Sequence, residues 1–442
     1  MRTGPVALGF LGDGLEPSLV EAAGRIAQLT HHEQDHVDAV VLWSLAIRHA
    51  IRTGEFDPTV GLEWVGRGAS TSSTGSAERW ADLIDEALAP GAHPRDFQAH
   101  NGWVVKAFQG ALAAVAGASD VRDALTCAVR GGGDTDTVAA IAGSLAGAVW
   151  GATQVPLGWQ RLLHGWPGHT ANDLTRLAVL AARSGRPDSV GWPIADVVPS
   201  GDFLHTPPVR HPHDAGVWLG SQSALGELPP SVGAVVSLCR VGAAEVPEGL
   251  ESVRVWLIDQ PDRNANLDWT LADAADVIAE VRSEGSRQAR PTEVFVHCAE
   301  ARSRTAAVAA LYGIRHRGVG LEQAWRDVES VLPYFAPAGF LRNAVRRVAA
   351  SDPKGRMGKT GGNHEPLDAA GERIAARIAS DLGRLRGTGR AYAVDLGHAF
   401  FQAASYDGDQ VLIEISAERF MPADRALAPG SHKRLMQLGF SR

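Results

Sequence analysis

The sequence reads Val296-His297-Cys298-Ala299-Glu300-Ala301-Arg302-Ser303-Arg304-Thr305 in its second half. Residues 293–296 (EVFV) are mostly β-branched or aromatic, which predicts a buried strand. Residues 305–316 (TAAVAALYGIRH) carry apolar side chains at helical spacing and predict a helix. Cys298 is therefore predicted to lie in a turn between a strand and a helix.

A cysteine in such a turn has chemical consequences. Backbone N–H groups of the turn and the N-terminus of the following helix converge on one spot, which favours both a thiolate and a bound phosphate. The planar guanidinium of Arg304 can hold two phosphate oxygens at once. The spacing Cys-x5-Arg therefore predicts a site of covalent phosphate transfer.

The stretch resembles the active-site loop of the dual-specificity and tyrosine phosphatases, whose pattern is His-Cys-x-x-Gly-x-x-Arg followed by Ser or Thr. The resemblance implies that Cys298 attacks phosphorus, that Arg304 holds the transferred group and that Thr305 assists its departure. It implies no cofactor, and it implies phosphate binding by Ala299, Glu300, Ala301, Arg302, Ser303 and Arg304. Ala301 stands where the family has glycine. If that position requires a positive φ, the Cβ of alanine costs about 1 kcal/mol.

A phosphatase of this class also needs a carboxylic acid that protonates the leaving oxygen. Residues 255–262 (VWLIDQPD) supply two upstream of the loop. Asp259 is the predicted acid, because it ends an apolar strand-like run as the general acid of the family usually does. Asp262 is the alternative, and a plain surface turn without a catalytic role is the other interpretation.

A second motif lies in the first third of the chain, where residues 131–137 read GGGDTDT ahead of an apolar run, 138–150. Two carboxylates and a hydroxyl at a glycine-rich helix start suit Mg²⁺ or another hard divalent ion. Helix capping by Asp134 or Thr135 explains the same residues without a metal.

The second motif resembles the ADP-ribosylglycohydrolase family, in which a Gly-Gly-Asp-Thr-Asp-Thr run is one half of a two-metal centre. Asp134, Asp136 and Thr137 match its ligands, and the stretches 2–8, 29–31 and 101–105 match in family order over residues 1 to about 180. The family's first metal-ligand cluster has no counterpart, since no Thr-Asp-Asp run occurs in the sequence. We therefore expect a start upstream or a module that has lost half of its site, weak Mg²⁺ binding and little glycohydrolase activity.

Composition narrows the function classes. Of the 442 residues, 45% are hydrophobic and 21% charged, as in ordinary globular proteins. A net charge of −8 argues against broad nucleic-acid binding. Three scattered cysteines predict no disulfide framework, and no run is long and apolar enough for a membrane span. A reducing, cytoplasmic location is expected.

The chain is predicted to be multidomain. An all-α ADP-ribosylglycohydrolase-like helical module (1–183) precedes an α/β phosphatase-like domain with a parallel sheet (203–350) and a small α+β domain (367–442), with linkers at 184–202 and 351–366. The last domain loosely resembles the TY-Chap domains, which implies a module that binds a peptide or protein partner.

The predicted activity is hydrolysis of phosphate monoesters, coupled to an ADP-ribosylglycohydrolase-like module. The expected substrate is phosphorylated, ADP-ribosylated, or carries both groups. Two alternatives stay open. One is metal-dependent ADP-ribosyl hydrolysis as the main activity. The other is a catalytically inactive protein that binds ADP-ribose or phosphopeptides.

Overall fold

The structure is a computed structural model. It describes residues 2–65, 75–199, 203–287 and 292–351, together with the backbone of three strands between 392 and 416. The chain divides into two compact units, residues 1–355 and residues 356–442. No described helix combines the length and the apolar character that crossing a membrane requires.

The first part of unit 1 is a helical module. Apolar side chains at helical spacing predict helices over 36–53 and 104–116, and the structure confirms both. Its helices are α1 (Glu16–Gln28), α2 (Gln34–Thr53), α3 (Ser76–Leu88), α4 (Val104–Ala116), α5 (Val121–Arg130), α6 (Thr135–Trp150), α7 (Leu157–Gln160) and α8 (Ala171–Ala182). Small side chains of α4 and α6, among them Ala111 and Ala142, let these helices pack closely on α2 around one core.

The prediction of a purely helical module is wrong in one detail. Two short strands, β1 (His164–Gly165) and β2 (His169–Thr170), pair antiparallel ahead of α8. The sequence between them contains Pro167 and Gly168, which favour a tight turn and therefore a hairpin.

The second part of unit 1 is built on a five-stranded mixed sheet in the order β3-β4-β7-β5-β6. Its elements are β3 (Val209–His211), β4 (Asp214–Ser221), β5 (Val232–Ser237), β6 (Glu251–Arg254), α9 (Leu267–Arg287), β7 (Glu293–Cys298), α10 (Arg304–Arg317), α11 (Leu321–Val331) and α12 (Gly339–Ser351). Side chains of α9, α10, α11 and α12 share one core with strands β4 to β7. The carboxyl ends of β4, β5 and β7 lie together, and Cys298 is at that edge.

The predicted parallel sheet needs a correction at its edge. Strands β4, β7, β5 and β6 are parallel, but β3 pairs antiparallel with β4. The sequence predicts one short strand over 211–218 (HPHDAGVW), but the chain turns at Pro212 and His213. A connection this short can join only antiparallel strands, and proline lacks the N–H that a continuous strand would use.

The helical module and the sheet domain meet through polar contacts. Arg161, just after α7, donates to Glu251 of β6 at 3.0 Å and to Glu284 of α9 at 2.9 Å. The Asn266 side chain donates to the Trp150 carbonyl at 2.7 Å. The Leu157 N–H donates to the Asp273 carboxylate of α9 at 2.8 Å. These contacts position the end of the helical module against α9.

Asp273 makes this contact sensitive to pH. Burial raises the pKa of its carboxyl group to about 7, above the usual 3.8. Between pH 3.8 and about pH 7, the folded protein therefore keeps a proton on Asp273 that the unfolded chain releases. The free energy of unfolding falls as the pH rises through this range. Asp273→Asn keeps an acceptor for Leu157. We expect it to raise the free energy of unfolding at pH 8 by about 1–2 kcal/mol and to have little effect near pH 4.

Denaturant unfolding at several pH values measures this effect. Asp262→Asn removes the same charge from an exposed site and serves as the control, which should keep the wild-type dependence. An Asp273→Asn protein with the full wild-type loss of stability between pH 4 and 7 would contradict the assignment.

The segment predicted as the first linker is structured where it is described. Residues 188–198 bond to the loop 240–245 of the sheet domain, through the Ala243 N–H to the Ala195 carbonyl at 2.9 Å and the Ala244 N–H to the Asp196 carbonyl at 3.0 Å. The domain boundaries themselves stay predictions.

Unit 2 is described only by three strands. They are β8 (Tyr392–Asp395), β9 (Phe400–Tyr406) and β10 (Gln410–Ser416), which form an antiparallel sheet in the order β10-β9-β8. The sequence predicts strands over 392–396, 400–404 and 410–416, and the three strands lie there. It also predicts helices over 367–385 and 432–438, which lie outside the described residues together with the linker after residue 351.

Candidate active site

Cys298 is the last residue of β7, and α10 begins at Arg304. Its partner in the register is Ser221 on β4, and His297 faces Ser237 on β5. Cys298 is only 2% exposed, at the base of the turn that the sequence predicted. The local sequence explains the arrangement, because a buried β-branched strand meets a helix rich in alanine with a loop of small and polar residues between them.

The loop turns its carbonyl groups toward the protein. The carbonyl of Ala299 accepts from the Gln222 N–H at 3.2 Å, and that of Arg302 accepts from the Ala336 N–H at 3.1 Å. The carbonyl of Glu300 accepts from the Thr206 hydroxyl at 3.0 Å. Within the described residues, the N–H groups of 299–304 donate to no acceptor. Unpaired N–H groups at a helix start bind anions well.

Arg304 is held at the mouth of this loop. Its Nη1 donates to the carbonyls of Leu238 at 3.0 Å and Leu257 at 3.1 Å. Its Nε is buried and has no hydrogen-bond partner among the residues that the structure describes. The nearest carboxylate oxygen, of Asp259, lies 3.6 Å away, which is an ion pair but too long for a hydrogen bond. The guanidinium is thus fixed through Nη1, while its Nε makes no hydrogen bond within the described residues.

Two hydroxyl groups complete the loop. Ser303 Oγ donates to Asp259 Oδ1 at 2.9 Å and accepts from the Ala338 N–H at 3.1 Å. Thr305 is fully buried, and its Oγ1 has no partner within the described chain. A buried unpaired hydroxyl is costly, and such groups commonly serve a ligand or a reaction step.

Asp259 lies against the loop, as its contact with Ser303 requires. Asn264, which the sequence reasoning missed, closes the segment that carries it. The Ile258 N–H donates to Asn264 Oδ1 at 2.8 Å, and Asn264 Nδ2 donates to the Ile258 carbonyl at 2.7 Å. No motif marks Asn264 in the sequence, because its partner is a backbone group brought near by the fold of the segment.

Asp262, the alternative acid, faces elsewhere. It is exposed, has a φ of 57° and lines a cavity of about 440 Å³ beside the start of α9 and α12. Asp268, Trp269 and Arg347 line the same cavity. Among the described residues, Asp262 makes no hydrogen bond or ion pair with the Cys298 loop.

Ala301 adopts a positive φ of 60° and is buried. This is the left-handed conformation that glycine adopts without a steric penalty. Its neighbours Glu300 and Arg302 keep their carbonyl contacts with Thr206 and Ala336. The loop therefore accommodates the alanine with the turn intact.

Ala301→Gly is expected to change little. Relief of about 1 kcal/mol of backbone strain is opposed by the loss of a buried methyl group worth about 0.8 kcal/mol, so stability should shift by less than about 1 kcal/mol. Phosphate release should stay within about threefold of wild type, as measured by initial rates and thermal unfolding. A gain in rate above tenfold would mean that the alanine deforms the loop.

Two side chains beside Cys298 are held neutral by burial. Burial lowers the pKa of His297 to about 4, and its Nε2 lies 2.8 Å from Ser237 Oγ. Burial, with a contribution from Cys298, raises the pKa of the Cys239 thiol to about 12. Cys239 therefore stays a thiol and does not compete as a nucleophile near neutral pH.

The second motif also forms a turn before a helix. Gly132 and Gly133 have φ values of 82° and 71°, and Asp134 precedes α6. Asn101 closes the turn, because its amide donates to the Gly132 carbonyl at 2.9 Å and accepts from the Asp134 N–H at 2.8 Å. Asn101 belongs to the stretch 101–105 that matches the family, but no pattern in the sequence indicates its role in this turn.

The predicted metal ligands do not make a complete site. Asp134 and Thr137 are partly buried, and Asp136 is exposed. Among the described residues, no group of three or more His, Cys, Asp or Glu side chains is arranged to hold a metal. Three oxygen donors would fill about half of the octahedral shell of Mg²⁺. The Mg²⁺ site stays a prediction.

A strand, a loop whose N–H groups have no acceptor among the described residues, and a helix that begins with arginine together define a phosphatase-like domain. Comparison with known proteins agrees with this assignment. Human dual specificity phosphatase 28 is 31% identical over 163 residues, which are 36% of this chain and 78% of the human protein. The chain belongs to the dual specificity phosphatases. The crystal structure of that human protein matches 34% of this chain and 98% of its own, with 25% identity and a TM-score of 0.29.

The helical module is similar to a different family. Residues 1–189 match the model of the ADP-ribosylglycohydrolase family. A solved ADP-ribosylglycohydrolase-related protein complex is 24% identical, with a TM-score of 0.30, over 41% of this chain and 57% of the solved chain. The chain thus combines a phosphatase-like domain with an ADP-ribosylglycohydrolase-like domain.

Proposed function

We propose that the protein hydrolyses phosphate monoesters at Cys298. The observation that carries this proposal is the loop 299–304, in which the carbonyls of 299, 300 and 302 accept from the surrounding protein while the N–H groups have no acceptor among the described residues. The Nε of Arg304, which has no hydrogen-bond partner among the same residues, adds a cationic donor beside the loop. Such an arrangement stabilises the charge on a transferring phosphoryl group.

The reaction has two steps. The Cys298 sulfur forms a bond to phosphorus while the ester P–O bond breaks, and Asp259 gives its proton to the leaving oxygen. Water then attacks phosphorus, Asp259 takes a proton from this water, and the S–P bond breaks to release inorganic phosphate. The Thr305 hydroxyl then donates to the departing thiolate, a role supported by its lack of a hydrogen-bond partner among the described residues.

Tungstate binding, measured by calorimetry, tests the anion site without requiring turnover. The wild-type full chain is expected to bind tungstate, and Arg304→Lys is expected to weaken binding by about tenfold or more, because lysine cannot form the bidentate contact. Arg302→Lys is the matched control, since Arg302 is exposed in the same loop. Equal losses in both variants, or no wild-type binding, would contradict the proposal.

The helical module supports a second candidate function, the binding of an ADP-ribosyl group. Its support is the family match over residues 1–189 and the glycine turn that Asn101 closes beside Asp134. Asp134, Asp136 and Thr137 would hold Mg²⁺ together with water. A substrate that carries both ADP-ribose and phosphate would then occupy both domains. Titration of the full chain with ADP-ribose, with and without Mg²⁺, tests this candidate, and no heat in either case would remove it.

The catalytically inactive alternative has a distinct signature. A wild-type protein that binds tungstate but releases no phosphate from an aryl phosphate under reducing conditions would be a phosphate-binding protein. That result would replace hydrolysis by phosphopeptide or ADP-ribose recognition.

A further inference from the structure

The segment 188–198, here called the connector, joins the helical module to the phosphatase-like domain. It makes two backbone hydrogen bonds to the loop 240–245. In addition, the Val198 N–H of the connector donates to the Glu245 carboxylate of that loop at 3.1 Å. Gly242 allows this approach. A Cβ at Gly242 would lie 2.2 Å from the Asp196 carbonyl oxygen, which no side chain tolerates.

Trp192 is the anchor of the connector and is only 9% exposed. The Arg240 guanidinium lies 4.6 Å from its ring centre and pairs with Asp188 at 2.7 Å. Asp188 in turn accepts from the Trp192 N–H at 2.9 Å. Cation–π and charge contacts of this kind hold the indole in one orientation.

The ring of Trp192 packs edge to face on Trp256, with ring centres 5.4 Å apart. Trp256 is 44% exposed and lies next to Leu257, whose carbonyl accepts from Arg304. Asp259 follows two residues later and contacts Ser303 of the loop. The segment 256–259 therefore carries one of the carbonyls that orient Arg304 together with the proposed acid, and Trp192 packs against its first residue.

We infer that Trp192 is a positioning residue of the phosphatase site: through Trp256 it fixes the segment that orients Arg304 and Asp259. The connector outside the phosphatase-like domain thus becomes part of its active site. This inference rests on the proposed hydrolysis at Cys298. It predicts that phosphate release depends on a residue that the domain boundaries at 203–350 exclude.

The test compares three variants of the full chain on two substrates. Trp192→Ala removes the contact, Trp192→Phe keeps an aromatic ring against Trp256, and Trp166→Ala is the control, because Trp166 is 92% exposed on the β1–β2 hairpin. One substrate has a poor leaving group, phenyl phosphate. The other has a good one, 2,4-dinitrophenyl phosphate, which needs little help from a general acid.

Trp192→Ala is expected to lower kcat on phenyl phosphate by about tenfold and on dinitrophenyl phosphate by about threefold or less, because misplacement of the acid affects the poor leaving group more. Tungstate affinity should fall by about threefold, since Arg304 loses part of its support. Trp192→Phe should restore most of the kcat on both substrates and most of the tungstate affinity. Trp166→Ala should equal wild type.

Other outcomes separate the two proposals. If the wild type is active and Trp192→Ala has the same kcat values, the positioning role alone is overturned. The same holds if Trp192→Ala lowers kcat equally on both substrates and Trp192→Phe does not restore it. A wild type that neither releases phosphate nor binds tungstate would overturn the proposed hydrolysis and this inference with it.

Discussion

Cys298→Ser is expected to lower phosphate release by at least about 10³-fold, because a serine hydroxyl in this loop lacks a base that would make it a nucleophile. The anion site itself should survive. The N–H groups of 299–304 and the Arg304 guanidinium do not depend on sulfur, so tungstate affinity should stay within about threefold of wild type. Initial rates on phenyl phosphate with a chelator and a reductant, together with calorimetry, measure both effects.

Cys127→Ser is the matched control for this change. Cys127 lies in α5 of the helical module, where its sulfur is 3.6 Å from His93. The control should release phosphate at the wild-type rate. Phosphate release by Cys298→Ser above one tenth of the wild-type rate would contradict covalent catalysis at this cysteine.

Asp259→Asn is expected to lower kcat on phenyl phosphate by about 10²–10³-fold and on dinitrophenyl phosphate by tenfold or less. The reason is geometric. Asp259 contacts Ser303 of the loop and lies 3.6 Å from Arg304, so its proton is within reach of an oxygen that leaves from the same place. The amide of asparagine preserves the contact with Ser303 but supplies no proton.

Asp262→Asn is the control that separates the two carboxylates. Asp262 lines the cavity beside α9 and α12 and should leave both rates within about twofold of wild type. A large loss on phenyl phosphate in Asp262→Asn, with Asp259→Asn unaffected, would assign the acid to Asp262 and would require the segment 259–264 to rearrange when substrate binds.

Much of the fold follows from local patterns. The run EVFV and the alanine-rich stretch after Arg304 predicted the strand and helix now seen as β7 and α10. Apolar periodicity predicted α2 and α4 for the same reason, since each pattern is complete within one element. The edge strand β3 was not predicted as a separate strand, because the prediction over 211–218 is one continuous strand although Pro212 interrupts it.

The sequence by itself determined the chemistry of the candidate site: a cysteine, an arginine and a threonine on one turn between a strand and a helix. Local spacing suffices for this, because all three side chains belong to adjacent elements. Only the tertiary structure decided that Ala301 takes a positive φ, that Asp259 rather than Asp262 lies at the loop, and that Trp192 packs behind Trp256. Most of these facts depend on contacts between residues that are more than forty positions apart. Such contacts are set by the packing of the whole domain, so they leave no periodic pattern in the sequence.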